Sequence, residues 1–211
     1  MSNKMKNIVF ISLLLLSALT GWNQDEDKTN FNSDSIFKDI STDSLHISLC
    51  TFGEFKDSDK LDKTFQWKGP LISDSLKQEM RLDPDVSYAL GKIILNTEKN
   101  IIGYIVGCVD LKVQLYAYSF KQKDFIFNIQ LASYKYVEAA YEKTRNSWII
   151  DQNGDGNLDI ATWEKLTDFE FQNQLSDNLS GDKKFIHFLI DGNFKHEDWT
   201  NFDSKQMTLT K

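Results

Sequence analysis

Sulfur and imidazole are scarce in this chain: besides methionine there are two cysteines, Cys50 and Cys108, and three histidines, His46, His187 and His196. None of them shows the short ligand spacing of a zinc site, and no histidine stands by either cysteine in a pattern that would activate a thiolate. Both cysteines fall in apolar runs, where a free thiol packs as a small hydrophobe. Export would permit a bridge between them, but free thiols are the expectation. A Gly-x-Ser-x-Gly nucleophile elbow is missing, so the sequence carries no serine-triad signature. Positive charge is short as well, with 24 Lys and Arg against 31 Asp and Glu and a formal net charge of −7. Without a basic stripe interleaved with aromatics, nucleic acid is not an expected partner. The surplus of acids guarantees some carboxylate pair, so a glycosidase pair cannot be nominated from sequence. His187, set among Phe185, Ile186, Phe188 and Leu189, reads as a strand histidine satisfied by a neighbour, and Trp199 with Phe202 as a packed edge cluster.

Long apolar runs are missing too. The longest, Ile8 to Leu19, is too short to span a bilayer comfortably and follows Lys4 and Lys6, the pattern of a secretory signal peptide over residues 1–21. Leu19, Thr20 and Gly21 resemble the start of a bacterial lipobox, but Trp22 stands where the acylated cysteine belongs. Lipidation there is excluded, and an uncleaved signal segment is the only membrane attachment on offer. Residues 22–45 read as a disordered acidic linker, in which Asp25, Glu26, Asp27, Asp34, Asp39 and Asp43 outnumber Lys28 and Lys38. Such a stretch buries too little apolar surface to offset its ordering entropy. Removing Met1–Gly21, which holds two lysines and no acid, takes the formal charge from −7 to −9. With 41% hydrophobic and 13% aromatic residues over its 211 positions, the chain can bury one sizeable core, expected as a single domain over 46–211.

What is abundant is β-signal. Strands are expected at His46–Phe52, Thr64–Trp67, Val86–Leu95, Ile101–Val106, Val113–Phe120, Phe125–Leu131, Lys184–Ile190 and Asn193–Lys195. Short polar turns at 96–100 and 121–124 make the middle four an antiparallel meander. Gly107 suggests a bulge or bend between two of them. Ser73 to Arg81 reads as a brief helix with Ser73 as N-cap and Leu76 and Met80 on one face, stopped at Asp83 and Pro84. Asp191 and Gly192 signal a tight turn. Tyr134 to Lys143 fits either a helical turn or a strand, and Met207 to Thr210 could add an edge strand.

One stretch implies a specific chemistry. Asp151, Asn153 and Asp155 alternate, Gly156 follows at the sixth position, and Asn157 and Asp159 complete the set, between Trp148–Ile150 and Ile160–Trp163. A hard cation such as Ca²⁺ takes six to eight oxygens at roughly 2.3–2.6 Å, so its loop must turn sharply and aim alternate residues inward. Gly156 supplies the turn. A helix–loop–helix site would place a bidentate Glu at position twelve, where Thr162 stands, and the flanks are β-branched and aromatic, not helical. Left bare, three aspartates in one tight loop would repel by roughly 3 kcal/mol per pair about 5 Å apart at an effective dielectric of 20. The string resembles the calcium loops that join two strands in integrin-type propeller repeats, the FG-GAP and VCBS family. That resemblance implies that Asp151, Asn153, Asp155, Asn157 and Asp159 are the ligands of one Ca²⁺ and that the loop caps a β-hairpin. It covers about a dozen residues and occurs once, whereas a propeller repeats its unit.

The fold expected is therefore mainly β: a single antiparallel meander domain with one or two short helices and a calcium-loop hairpin, not a complete propeller. The lipobox-like signal and the single loop make the chain similar to small bacterial cell-envelope lipoproteins. The expected function is an exported, secreted or periplasmic, calcium-stabilised and non-catalytic binding or scaffold module, its partner an envelope protein or glycan. An envelope glycan hydrolase and an immunity-type inhibitor of a secreted toxin are the alternatives from other classes.

Overall fold

The computed structural model describes residues 35–56, 64–83, 85–137, 141–168 and 181–198. The expected signal peptide, the first part of the linker, Trp199, Phe202 and the strand expected at Met207 to Thr210 lie outside the described residues. Among them, eleven strands and two short helices follow in the order β1 (Ser44–Ile47), α1 (Leu49–Phe52), β2 (Gly53–Lys56), β3 (Thr64–Trp67), α2 (Asp74–Met80), β4 (Ser87–Asn96), β5 (Ile101–Cys108), β6 (Lys112–Ser119), β7 (Asp124–Val137), β8 (Tyr141–Ile150), β9 (Asp159–Asp168), β10 (Gly181–Ile190) and β11 (Asn193–Asp198).

From β4 to β11 each strand pairs antiparallel with the next, which is the expected meander extended to eight strands, and β1 joins it on β8. Among the described residues β4 and β11 end the sheet and do not pair with each other, so it is neither a closed barrel nor a propeller. Turn chemistry sets the register. Asp191 (φ 52°) and Gly192 (φ 78°) both take left-handed backbone, the two-residue geometry that matches strand twist, and Ile190 then faces Asn193. The helix expected near Ser73 is α2, where the Ser73 hydroxyl accepts from the Leu76 amide at 3.4 Å and Met80 is fully buried. One hydrophobic cluster takes residues from most of the meander, including Ile93, Ile105, Leu115, Leu131, Ile160 and Leu189. Phe127 of β7 stacks on Phe194 of β11 with centroids 4.1 Å apart, so the sheet curls back over its own core.

Two local expectations are corrected and one open alternative is resolved. The strand expected through Phe52 stops at Ile47, because Ser48 and Thr51 bond locally. The Ser48 amide donates to Thr51 Oγ1 at 3.0 Å and the Thr51 amide to the Ser48 carbonyl at 3.2 Å, which turns the chain into α1. Gly107 is no bulge: β5 runs straight through it, and the position is glycine because the Trp67 ring lies where a Cβ would be, 2.8 Å away. The register shifts fall in β4, between Ala89 and Gly91 and between Ile94 and Asn96, and between β6 and β7. The ambiguous stretch after Tyr134 is strand on both sides, β7 to Val137 and β8 from Tyr141.

The linker expected to run to residue 45 gives way to ordered chain by Phe37, which is buried with its ring edge-on to Tyr104 at 5.2 Å. The Ile40 amide donates to the Lys92 carbonyl at 2.8 Å and the Lys92 amide to the Lys38 carbonyl at 2.9 Å, so this segment lines the edge of β4. It then continues as β1 along β8. On that edge of β8, residues 141–145 pair with β7 and residues 147–150 with β1. A stretch read as tether thus ties two distant parts of the sheet together.

Candidate metal centre

β8 and β9 form the hairpin that the loop was expected to cap, with Ile150 opposite Asp159 at its base. Residues 151–158 make the connection. Gly154 (φ 78°) and Gly156 (φ 82°) take left-handed backbone in open space, so conformation and not crowding selects glycine there. The loop is organised on its own carboxylates. Asp151 Oδ1 accepts from the amides of Gly154 at 2.7 Å and Asp155 at 3.2 Å, and its Oδ2 accepts from Gly156 at 2.9 Å. Asn153 Oδ1 accepts from the Asp155 amide at 3.0 Å, and Asp155 Oδ1 from the Asn157 amide at 2.8 Å.

Asp159 differs from the others. It opens β9 fully buried, where Oδ1 accepts from the Leu189 amide at 2.9 Å and Oδ2 from the Gln152 amide at 3.2 Å. The ladder between β9 and β10 is in register as far as Ile160 opposite His187, and the Asp159 carboxylate prolongs it by one bond. Burial pushes this carboxyl up; the two amides oppose that and the negative charges of Asp155 and Asp151 reinforce it, leaving it at about 6. Asp155 is also raised by burial, but bonds from Asn157 and Asn153 and the charge of Lys99 bring it below the ordinary carboxylate range.

Residues outside the motif hold the loop in place. Asn96 Nδ2 donates to Asn157 Oδ1, and the Leu158 amide donates to the Leu95 carbonyl at 2.9 Å. Lys99 Nζ meets Asp191 Oδ1 at 3.2 Å, so the turns after β4 and β10 share this end of the sheet with the loop. No local pattern in the sequence links Asn96 to Asn157, which lie 61 positions apart. A groove of about 560 Å³ runs alongside, lined in part by Asp39, Asp43, Ile94, Asp151 and Leu158.

All five expected ligands therefore belong to one loop and its base: four on the loop, with Asp159 beneath. Among the described residues no group of three or more His, Cys, Asp or Glu is gathered closely enough to hold a metal ion, and the loop's carboxylates bond instead to backbone amides. The donor set still suits a hard cation. A carboxylate oxygen offers two lone pairs, and Asp151 Oδ2 and both oxygens of Asp159 each accept one amide. Oxygen donors without nitrogen or sulfur suit Ca²⁺ over transition ions.

The two hairpin tryptophans do not share one packing role. Ile149 and Ile160 enter the main core, whereas Trp148 packs with Ala161, Ile186 and Phe188 in a second cluster and stacks on His46 at 4.8 Å. Trp163 lies under the Lys184 ammonium, 5.5 Å from its ring centroid. Cys50 and Cys108 are both free, and burial pushes the Cys108 thiol up to about 11, so it carries no thiolate at neutral pH. No known protein family, curated protein or solved structure matches the chain.

Proposed function

We propose that this chain is an exported module of the bacterial cell envelope in which one structural Ca²⁺, held by Asp151, Asn153, Asp155, Asn157 and Asp159, fixes a binding surface and no catalysis occurs. The observation that carries the reading is the charge around Asp159: a fully buried carboxylate raised by burial and by two neighbouring aspartates on the same loop. A divalent cation would balance that charge, and the loop's resemblance to propeller-type calcium hairpins supports the same ion. Export rests on Lys4, Lys6 and the apolar run Ile8 to Leu19. The groove beside the loop is the surface whose shape the ion would set, open to an envelope protein or glycan.

Calorimetric melting in calcium and in excess chelator tests the proposal. An ion that binds only the folded chain stabilises by about 2.7 kcal/mol at a hundredfold excess over its Kd. For a chain of this size that is a rise in Tm of about 5–10 °C. An unchanged midpoint, or an equal rise with the Asp151→Asn and Asp155→Asn double variant, would remove the ion from the reading.

A further inference from the structure

The β10–β11 hairpin brings two of the chain's three histidines face to face. His187 and His196 are register partners, and His187 Nε2 lies 3.3 Å from His196 Nδ1 with the ring centroids 4.8 Å apart. Two metal–nitrogen bonds of roughly 2.0–2.1 Å meeting at a tetrahedral angle place their nitrogens about 3.3 Å apart. The pair thus has the bite of a tetrahedral ion. A hydrogen bond alone would also give this distance, but the outer nitrogen of His196 favours a ligand. His196 Nε2 faces Asp198 Oδ1 at 3.5 Å, the carboxylate-behind-histidine arrangement that orients a metal ligand. His187 Nε2 is the nitrogen turned toward His196, and its Nδ1 is buried without a hydrogen-bond partner among the described residues, so Asp198 behind His196 is the outer support of the pair.

The surroundings permit entry. His196 is exposed and His187 half-buried, with Phe127 and Phe185 packed against the His187 ring at 5.5 and 5.6 Å. Arg145 sits over Phe185 and shares the single carboxylate of Glu164 with Lys143, so one net positive charge remains behind the Phe185 ring. Burial, then the charges of His196 and Arg145, push His187 down to about 4, which leaves its imidazole unprotonated at neutral pH. Borderline ions take imidazole where hard ions take oxygen, so this place and the loop at 151–159 are chemically separate.

We propose that His187 and His196 form a two-imidazole site for a divalent cation of the zinc type, with water completing its coordination and Asp198 acting as a positioning residue behind His196. The site needs no third clustered side chain, and it does not depend on calcium filling the loop. The spacing of the histidines in the sequence hides it, because the turn at Asp191 and Gly192, and not a short ligand repeat, brings the rings together.

The test is calorimetric titration of the full chain with Zn²⁺ in excess Ca²⁺, which keeps the aspartate loop occupied, alongside imidazole ¹⁵N shifts. One ion per chain should bind, moving His187 Nε2 and His196 Nδ1 while His46 stays still. Losing an outer partner of a ligand costs about 10- to 100-fold in metal affinity. Asp198→Asn should fall in that range and His196→Gln at or beyond it, whereas His46→Gln should leave binding unchanged. His196 is exposed, so its variant keeps the fold, which circular dichroism checks. Absence of Zn²⁺ binding, native affinity in His196→Gln, or shifts confined to His46 would each overturn the proposal.

Discussion

Glu164 shows how one side chain can add charged hydrogen bonds to a strand pair that the backbone ladder already joins. Nearly buried on β9, it meets Arg145 at 2.6 Å and Lys143 at 2.8 Å, both from β8. Burial pushes its carboxyl up, but hydrogen bonds from Lys143 and Arg145, and then their charges, outweigh that and leave it below the ordinary glutamate value. A lowered folded-state pKa contributes stability that is complete above the unfolded value and lost as pH falls through the folded one. Glu164→Gln leaves Arg145 half-buried without its partner and should cost about 2–4 kcal/mol at neutral pH. In melting curves the gap to the native chain should close as pH falls below the ordinary glutamate range and the native carboxylate takes up its proton. A gap of constant size across that fall in pH would rule out charge pairing as the source of the loss. Gly107 makes a different residue-scale argument. A side chain there must displace the Trp67 ring, 2.8 Å from the site of a new Cβ. Gly107→Val should therefore destabilise by about 1–3 kcal/mol of overpacking and change the Trp67 fluorescence. A shift in stability without any change in tryptophan emission would place the strain elsewhere.

At the scale of elements, the strands were legible wherever alternation and turn chemistry agreed. The hairpins β4–β5, β6–β7 and β10–β11 all fall where apolar alternation is interrupted by Asn, Lys, Asp and Gly. The calcium-type loop was likewise visible as a hairpin cap, because its glycines and Asx residues specify their backbone locally. What stayed hidden is what depends on distant partners. Gly107 reads as a bulge until Trp67 is seen to occupy its face, and residues 35–45 read as tether because their composition is acidic and polar. Composition averages over a segment, whereas ordering rests on a few residues: Phe37 is buried, and Ile40 bonds to the edge of β4. Phe37→Ala tests the point, since a tether residue would cost nothing. Removing a buried phenylalanine should cost about 3–5 kcal/mol, read as a lowered midpoint in denaturant titration with an unchanged slope. An effect within about 0.5 kcal/mol, the usual scale for surface positions, would return the segment to the linker.

At the scale of the whole molecule, the candidate calcium loop is coupled to strands remote in sequence, and that coupling predicts where its effects should appear. Leu158 and Asn157 bond to Leu95 and Asn96 at the end of β4, and Asp159 bonds to Leu189 in β10. Lys99 in turn reaches Asp191, so the turns at 97–100 and 191–192 close on each other beside the loop. Local opening follows the least protected elements and spares those bonded on both sides within the core. Chelation should therefore speed amide exchange first at Gly154 to Leu158, then at Lys99 and Leu189, whose amides donate to Asn96 and Asp159 side chains that the loop holds in place. Ile105 and Leu115, fully buried on neighbouring strands, should keep their protection. Hydrogen-exchange mass spectrometry with and without chelator separates the outcomes. Exchange confined to the loop would mean that the ion organises only its own hairpin, and uniform acceleration would mean global destabilisation. Only the graded pattern, from loop to adjoining turns with the centre untouched, fits an ion that sets the shape of one end of the sheet.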